Sequence, residues 1–282
     1  MRNYDLRDLE LAGVKWEITD IPMTMMAAAK TNAVAQPQNS VQKTVETTET
    51  LNAINRIATS VVPPIAPIIP ISIDTVRAMA ARPSDINALN RMIAEFKHPL
   101  QGGAKNTVLI HQAQQPSGLM IITDIPSADD DSTGKVLSGD AGEMMNKMLN
   151  AIGLSRENTT IMPIIFWRTP GGRSPSRTEI DLAKPFVMRA IELTAPKIIL
   201  SLGTLPAMEI GNVNIAKSHG VPVTTESGAT LVPIYHPNYL ILKPTAKRDV
   251  WNALQNVQNM LKRARFRLTR MSVGMTTRLM WL

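Results

Sequence analysis

The sequence of 282 residues contains no cysteine. This absence excludes disulfide bonds, thiolate nucleophiles, cysteine-ligated zinc and ordinary cysteine-bound iron–sulfur clusters. Long apolar runs are missing too: no stretch of about 18 uncharged apolar residues occurs, and the apolar segment 61–72, VVPPIAPIIPIS, is interrupted by four prolines. The first residues, MRNYDLRDLE, lack the apolar centre of a secretory signal. We therefore expect a cytoplasmic protein without a membrane partner.

The composition favours one main domain and a negatively charged partner. Hydrophobic residues make up 44% of the chain, enough to bury one sizeable core, and we expect a monomer. The formal net charge of +7 is typical of proteins that contact nucleic acid. Much of the excess lies in a C-terminal stretch without acidic residues, for which both a DNA contact and a plain solvated tail are open. Its basic residues are Lys262, Arg263, Arg265, Arg267, Arg270 and Arg278.

Local composition divides the chain into four segments. Residues 1–26 form a short N-terminal segment. Residues 27–72 are rich in Ala, Thr, Asn, Gln and Pro and are typical of a low-complexity linker, with a short helix predicted near 42–58. We assign residues 73–265 to the main domain and residues 266–282 to a basic C-terminal tail.

The main domain alternates short apolar runs with helical patterns. Four runs predict buried strands: LMIIT (119–123), TIMPIIFW (160–167), KIILSLG (197–203) and TLVPIY (230–235). Strands that alternate with helices indicate a mostly parallel sheet covered on both faces. The predicted fold is therefore α/β, a three-layer α/β/α sandwich with a central four-stranded sheet.

Four segments have the apolar spacing of amphipathic helices. The first follows Ser84, a candidate N-cap, and the third follows a capping box formed by Ser176 and Glu179. Their apolar positions, in chain order, are Ile86, Leu89, Ile93 and Phe96; Ala141, Met144, Met145, Met148, Leu149 and Ile152; Ile180, Ala183, Val187 and Ile191; and Val250, Leu254, Val257 and Leu261.

Polar groups follow the strands, where open α/β sheets bind their ligands. The first strand runs into TDIPSADDDSTGKVLSG (123–139), the second into WRTPGGRSPS (167–176) and the fourth into HPNYL (236–240). Carboxylates, guanidinium groups and an imidazole are therefore expected at one rim. A P-loop is excluded because STGK has no glycine five residues before Gly134, and no G-x-G-x-x-G follows a strand.

These three loops resemble the motifs of the family-four uracil-DNA glycosylases, the thermostable iron–sulfur type, and especially those of their alphaproteobacterial relatives. The family's first loop, G-E-A-P-G-A-D-E-D then G-R-P-F-V-G, is similar to TDIPSADDD and GKVLSG. Its second, N-V-x-x-C/W-R-P-P-G-N-R-T-P-T, is similar to PIIFWRTPGGRSPS. Its third, Y-H-P-A-Y-L-L-R-x-P then K-R-E-V-W, is similar to YHPNYLILKP and KRDVW. The resemblance covers residues 84–262.

The resemblance implies a DNA repair glycosylase that flips uracil out of DNA and hydrolyses its N-glycosidic bond with water. His236 would stabilise the negative charge that collects on uracil O2, a contribution of about 3 to 4 kcal/mol, and Asp124 would polarise the water. The resemblance also implies pocket and DNA contacts. The base pocket would comprise Ile125, Pro126, Leu137 and Pro163, and the DNA contacts would be Arg168, Arg173, Asn238, Tyr239, Leu240 and Lys247.

Several positions depart from the family pattern. Leu137 replaces the aromatic residue that stacks on uracil, and Pro163 replaces the asparagine that reads its edge, so the bidentate readout is lost. Thr123 and Ser127 replace glycines of the first loop. Two alternatives follow: a catalytically impaired member that binds DNA or a partner protein, or a glycosylase with altered base specificity.

The cluster cysteines of the family have no counterpart, so no cofactor and no metal is expected. Trp167 stands at one cluster position and His98 near another. We expect Trp167 to fill the volume that a cluster would occupy.

Other polar residues have competing interpretations. The arginines of the second loop could contact phosphates or form salt bridges with nearby acids. The three acids of the first loop could be solvated, cap a helix or supply one group that positions water. His111 and His219 are expected to be ordinary surface or turn residues. The arginines are Arg168, Arg173 and Arg177, and the acids are Asp129, Asp130 and Asp131.

Overall fold

The structure is a computed structural model that describes residues 72–278, and the side chains of residues 72–264. The predicted N-terminal segment 1–26, the linker up to residue 71 and its helix near 42–58 lie outside the described residues. None of the helices in this described part is both long and apolar enough to span a bilayer.

A mostly parallel sheet forms the centre of the domain. Its five strands lie in the order β2-β1-β3-β5-β4; the first four are parallel and β4 is antiparallel to β5. The predicted four-stranded sheet is therefore corrected to five strands, because β4 has only two residues, too few to show a period in the sequence. The strands are β1 Leu119–Thr123, β2 Thr160–Pro163, β3 Ile198–Leu202, β4 Val223–Thr224 and β5 Thr230–Ile234.

The second strand is shorter than its apolar run. The run 160–167 is buried throughout, but the strand ends at Pro163. The N–H of Ile164 still donates to the carbonyl of Thr123 (2.9 Å), whereas the carbonyl of Phe166 accepts from Val108 N–H (2.8 Å). Apolar character predicted burial here, and the chain leaves the sheet while it stays in the core.

Nine helices and four short 3-10 turns occur in residues 72–278. The helices are α1 Ile73–Ala80, α2 Ile86–Glu95, α3 Ala128–Thr133, α4 Gly139–Ala151, α5 Arg177–Thr194, α6 Thr204–Gly211, α7 Ile215–Ser218, α8 Pro237–Leu242 and α9 Lys247–Arg278. The 3-10 turns are Gln101–Gly103, Arg156–Asn158, Pro170–Gly172 and Pro244–Ala246. The backbone of α9 continues helically into the predicted basic tail.

Two apolar clusters, one on each face of the sheet, make the three layers. Side chains that alternate along each strand point to opposite faces. On one face α1, α2 and α5 pack on β1 through Met120 and Ile122. On the other, α4, α8 and α9 pack on β1 through Leu119 and Ile121. The predicted apolar positions of all four helices are buried, apart from the half-buried Met144.

The helix N-termini follow their sequence signals with one correction. The capping box of Ser176 and Glu179 is present at α5. At α2 the N-cap is Asp85, not Ser84 as predicted: the Asp85 carboxylate accepts from Ala88 N–H (2.8 Å). A carboxylate at this position also interacts favourably with the helix dipole.

An aromatic cluster lies beneath the second loop. The Trp167 side chain is fully buried, and its indole stacks on the His98 ring with centroids 4.4 Å apart and planes 8° apart. Its Nε1–H donates to the Thr107 hydroxyl (3.0 Å). The Phe96 ring lies 6.1 Å from the indole and 5.0 Å from that of Phe186. The tryptophan thus joins the loop before β1 to the loop after β2.

We predict that Trp167→Ala lowers the free energy of unfolding by about 3 to 5 kcal/mol, the usual loss for a fully buried large aromatic residue. Trp251, on α9, is 40% exposed, and Trp251→Ala is the matched control, with an expected change of about 0.5 kcal/mol. Urea denaturation measures both values. Equal losses in the two variants would contradict the packing described for Trp167.

Candidate active site

The carboxyl ends of the four parallel strands meet at one rim of the sheet. Thr123 ends β1 and is followed by Asp124, Pro163 ends β2, Gly203 follows β3, and His236 lies two residues beyond β5. The predicted catalytic pair, Asp124 and His236, is therefore carried by strands that have only β3 between them.

The His236 ring is held at both nitrogens. His236 is the N-cap of α8, and its Nδ1 accepts from Asn238 N–H (3.2 Å). Pro237, which has no N–H to satisfy, is the first helical residue. Because Nδ1 is an acceptor, the neutral ring carries its proton on Nε2. That N–H donates to the Thr123 hydroxyl across 3.0 Å.

Burial keeps this imidazole neutral. Removal of the ring from water lowers the pKa of His236 from 6.5 to about 4, although the negative charge of Asp130 acts in the opposite direction. At neutral pH the ring is therefore an uncharged donor through Nε2.

The Asp124 carboxyl lies between the ends of β1 and β3. Its Oδ1 accepts from Ile125 N–H (3.1 Å). A Cβ placed on Gly203 would lie 2.9 Å from Asp124 Oδ2, and Gly203 has φ +95°, so this position requires glycine. Burial raises the pKa of Asp124, and only the bond from Ile125 opposes that shift. The sequence analysis missed Gly203, although a glycine directly after a buried strand is a recognisable signal.

The hydrogen bond between Thr123 and His236 brings the first and last loops together, as expected. Thr123 is also a residue that the sequence analysis noted only as a glycine replacement. Three surface cavities, of about 880, 360 and 230 Å³, have linings that include neither Asp124 nor His236.

Three of the four predicted pocket residues are buried, among them Pro163 and Leu137. Pro163 lies opposite Thr123 in the pairing of β1 with β2 and is buried. Leu137 is buried, has φ +51°, and its carbonyl accepts from the Arg156 guanidinium. A Cβ on Gly142 would overlap that carbonyl. The contacts of its carbonyl thus hold Leu137 in the left-handed backbone region, which leucine rarely adopts.

The other two predicted pocket residues follow Asp124. Ile125 is half-buried and packs on the core face that carries α1, α2 and α5. Pro126 is buried.

Two of the three acids of the first loop accept hydrogen bonds from backbone N–H groups, and the helix-capping interpretation is confirmed for Asp130. Asp130 forms a capping box with Ser127 at α3 and also accepts from Ser138 N–H (2.6 Å). Asp131 accepts from the N–H groups of Lys105 and Asn106 (2.9 and 3.1 Å). Asp129 is exposed.

Salt bridges engage two of the three arginines of the second loop. Arg173 binds both carboxylate oxygens of Glu179 (2.9 and 2.6 Å), which lowers the pKa of Glu179 to about 2. Arg177 pairs with Asp181 and Glu209. Among the described residues neither Arg168 nor Lys247 has an ion pair, and both remain candidate phosphate ligands.

The short helix α8 corrects one predicted DNA contact. Leu240 is 1% exposed and packs in the core, so it does not face solvent. The helical period places it on the inner face with Pro237, three residues earlier. Asn238 and Tyr239 are exposed, as a DNA contact requires. Leu242, 75% exposed, is the apolar side chain that α8 presents to solvent most fully.

The region of the family's cluster does not fit an iron–sulfur cluster in this chain. Cluster ligation requires thiolates, and the sequence has none. At the two corresponding positions His98 and Trp167 stack on each other. His98 accepts from Leu100 N–H at Nδ1 and donates from Nε2 to the Glu179 carbonyl (3.2 and 3.0 Å). Both nitrogens are therefore used within the fold.

The two remaining histidines contact neighbouring groups. The Nε2 of His111 lies 2.9 Å from the carbonyl oxygen of Arg156. His219 lies at the turn after α7, and its ring packs on Tyr235 with centroids 4.2 Å apart.

We predict that His236 titrates near pH 4 in the folded protein and near 6.5 in the urea-unfolded chain, followed by its imidazole NMR signals. Because folding lowers this pKa, the unfolded chain binds more protons between these values. His236 therefore makes the folded state less stable as the pH falls from 6.5 to about 4. A folded-state value of 6 or higher would contradict the buried, neutral ring.

Comparison with known proteins finds one matching family and several relatives. A family described as "Uracil DNA glycosylase superfamily" matches residues 111–255. The chain is 24% identical to the type-4 uracil-DNA glycosylase of Thermotoga maritima over 164 residues, which is 56% of this chain and 85% of that protein. It is 27% identical to that of Pyrobaculum aerophilum over 175 residues, 58% of this chain and 89% of that protein. For Saccharolobus solfataricus the identity is 29% over 153 residues, 51% and 71% of the two chains.

Proposed function

The chain belongs to the uracil DNA glycosylase superfamily, and on this premise we propose that it is a monofunctional enzyme that hydrolyses the N-glycosidic bond of uracil in DNA. One observation carries the proposal: a neutral imidazole with its proton on Nε2 is fixed at the end of β1 by its hydrogen bond to Thr123, the residue that precedes Asp124 in the sequence. The glycosylase domain is proposed to comprise residues 73–265, to act as a monomer, and to carry a basic tail.

The proposed chemistry follows from charge development in the reaction. When the bond between C1′ and the base nitrogen breaks, its electron pair moves onto the uracil ring and negative charge grows on a carbonyl oxygen. A fixed donor in surroundings that exclude water stabilises this charge more than it stabilises the neutral substrate. The neutral, half-buried His236 suits this role because it holds an N–H donor at pH 7 without any proton having to be gained.

Asp124 is proposed to act on the sugar side. Above its raised pKa the carboxylate can accept a hydrogen bond from the attacking water and can offset positive charge on the sugar ring. Water supplies the oxygen that bonds to C1′, and its proton leaves to solvent or to the departing base. No cofactor enters this scheme.

DNA binding is proposed to use exposed groups around the rim. Arg168 and Lys247 would bind phosphates, and Asn238 and Tyr239 on α8 would contact the strand that carries the flipped base. Arg173 was also predicted there; its pairing with Glu179 supports a role in shaping the loop, with any phosphate contact made by its remaining exposed face.

A second candidate function is excision of a different deaminated base, or DNA binding without excision. The buried Pro163 motivates it, since a proline at this position offers no side-chain hydrogen bond to a uracil edge. Cleavage of hypoxanthine-containing DNA in preference to uracil-containing DNA would favour altered specificity. Salt-dependent DNA affinity without cleavage at any base would favour a silent binding protein.

We predict that purified protein creates abasic sites in single-stranded uracil DNA and in U:G and U:A duplexes, measured on gels after alkaline cleavage. His236→Ala should lower the rate about 10² to 10³-fold, the usual loss for an oxyanion donor. Asp124→Asn should lower it about 10² to 10⁴-fold, the range for a positioned base.

Asp74 on α1 is the matched carboxylate control for these variants. Its side chain is 89% exposed, and Asp74→Asn should leave the rate unchanged. No abasic sites on any of the three substrates with folded wild-type protein would contradict the proposed function.

We predict that Arg168→Ala and Lys247→Ala each reduce the dependence of duplex affinity on salt by about 0.9 in the slope of log K against log salt concentration. Arg77→Ala is the control, since Arg77 lies on α1 and pairs with Asp74. Fluorescence anisotropy over a salt series measures the slopes. Unchanged slopes in both variants would remove these residues from the DNA interface.

A further inference from the structure

The proton that His236 would offer to a leaving base is already engaged. The neutral ring has one N–H, on Nε2, and in this structure it donates to the Thr123 hydroxyl (3.0 Å). The Nδ1 side is closed by Asn238 N–H. A base oxygen can therefore accept a hydrogen bond from His236 Nε2–H only if the Thr123 side chain moves away. Without that movement, it can accept from the Thr123 hydroxyl instead.

The Thr123 side chain is poorly placed to move away. It is the last residue of β1, pairs with Pro163 of β2 and is 2% exposed. Its carbonyl accepts from Ile164 N–H (2.9 Å), so the backbone is fixed from the neighbouring strand. A β-branched side chain has few χ1 rotamers. Rotation would turn either the methyl group or the Cβ hydrogen toward the imidazole and leave a buried N–H without an acceptor.

The hydroxyl of Thr123 has an unused donor. A threonine hydroxyl donates one hydrogen bond and accepts up to two. Here it accepts from His236, and no acceptor for its own proton occurs among the described residues. Hydroxyl protons rotate freely, so this proton can change direction while the heavy atoms of Thr123 stay in place.

We propose that Thr123 is a catalytic residue: its hydroxyl donates directly to the anionic oxygen of the leaving base, with His236 behind it as the second donor of a two-step chain. The inference rests on the proposed function. The chain runs from His236 Nε2–H to Thr123 Oγ1, and from Thr123 Oγ1–H to the base oxygen.

No proton is transferred along this chain. The electron pair of the broken C1′–N bond stays on the base, water adds to C1′, and both donors keep their hydrogens. A hydroxyl that accepts a hydrogen bond becomes a stronger donor, because hydrogen bonds in a chain polarise one another. The residues that act together in this way are expected to behave as one unit on substitution.

The test compares four proteins on a uracil-containing oligonucleotide: Thr123→Val, Thr123→Ser, His236→Ala and the double variant Thr123→Val/His236→Ala. Valine keeps the shape and removes the hydroxyl. We expect Thr123→Val to lower kcat about 10²-fold with KM nearly unchanged. Thr123→Ser should stay within about threefold of wild type, because it keeps the donor. The double variant should be no slower than the slower of the two single variants by more than about threefold, unlike independent sites whose effects multiply.

Two outcomes would overturn the inference. Thr123→Val that is as fast as wild type, or faster, beside a slow His236→Ala would mean that His236 contacts the base directly and Thr123 only occupies its place. A slow Thr123→Val that Thr123→Ser fails to rescue, or whose effect multiplies with that of His236→Ala, would mean a structural role. The activity of the wild-type protein distinguishes failure of this inference from failure of the proposed function. If folded wild-type protein is inactive on every substrate, both proposals are overturned.

Discussion

The site depends on one chain of hydrogen bonds, from Asn238 N–H to His236 Nδ1 and from His236 Nε2–H to the Thr123 hydroxyl. It joins the loop after β5 to the end of β1 across the intervening strand β3. These hydrogen bonds also fix the tautomer of the His236 ring. A nitrogen that accepts from a backbone N–H leaves the single proton of a neutral imidazole on the other nitrogen. Burial lowers the pKa of the same ring. The imidazole is therefore neutral at pH 7 and donates from Nε2.

A second set of contacts lies beneath the second loop. Trp167 and His98 stack at positions where the family resemblance implies cluster ligands, and His98 also bonds to the carbonyl of Glu179. The Glu179 carboxylate in turn forms an ion pair with Arg173 and belongs to the capping box at the N-terminus of α5. A set of aromatic contacts and one ion pair thus connects the second loop to the core. Because protein interiors are close-packed and barely compressible, these contacts restrict movement of the loop.

Most of the fold was predictable from apolar periodicity, because β1, β3 and β5 are buried runs and their helices have apolar stripes. The placement of Asp124 and His236 at one edge of the sheet followed from parallel strands that end there. The two-residue strand β4 was missed because it is too short to carry a pattern. Leu240 was assigned to DNA from the resemblance of its loop to the family's third motif; the segment forms a short helix that buries this side chain. The role of Thr123 required a distance between residues 113 positions apart, which no local pattern encodes.

The central claim is that a flipped base is held where β1 and β5 end. The most direct measurement is a crystal structure of the protein bound to duplex DNA that carries a non-hydrolysable deoxyuridine analogue. We expect an extrahelical base whose carbonyl oxygen lies within hydrogen-bond distance of the Thr123 hydroxyl, with the bond from His236 intact. A base that stays stacked in the duplex, or one held without contact to either residue, would contradict it.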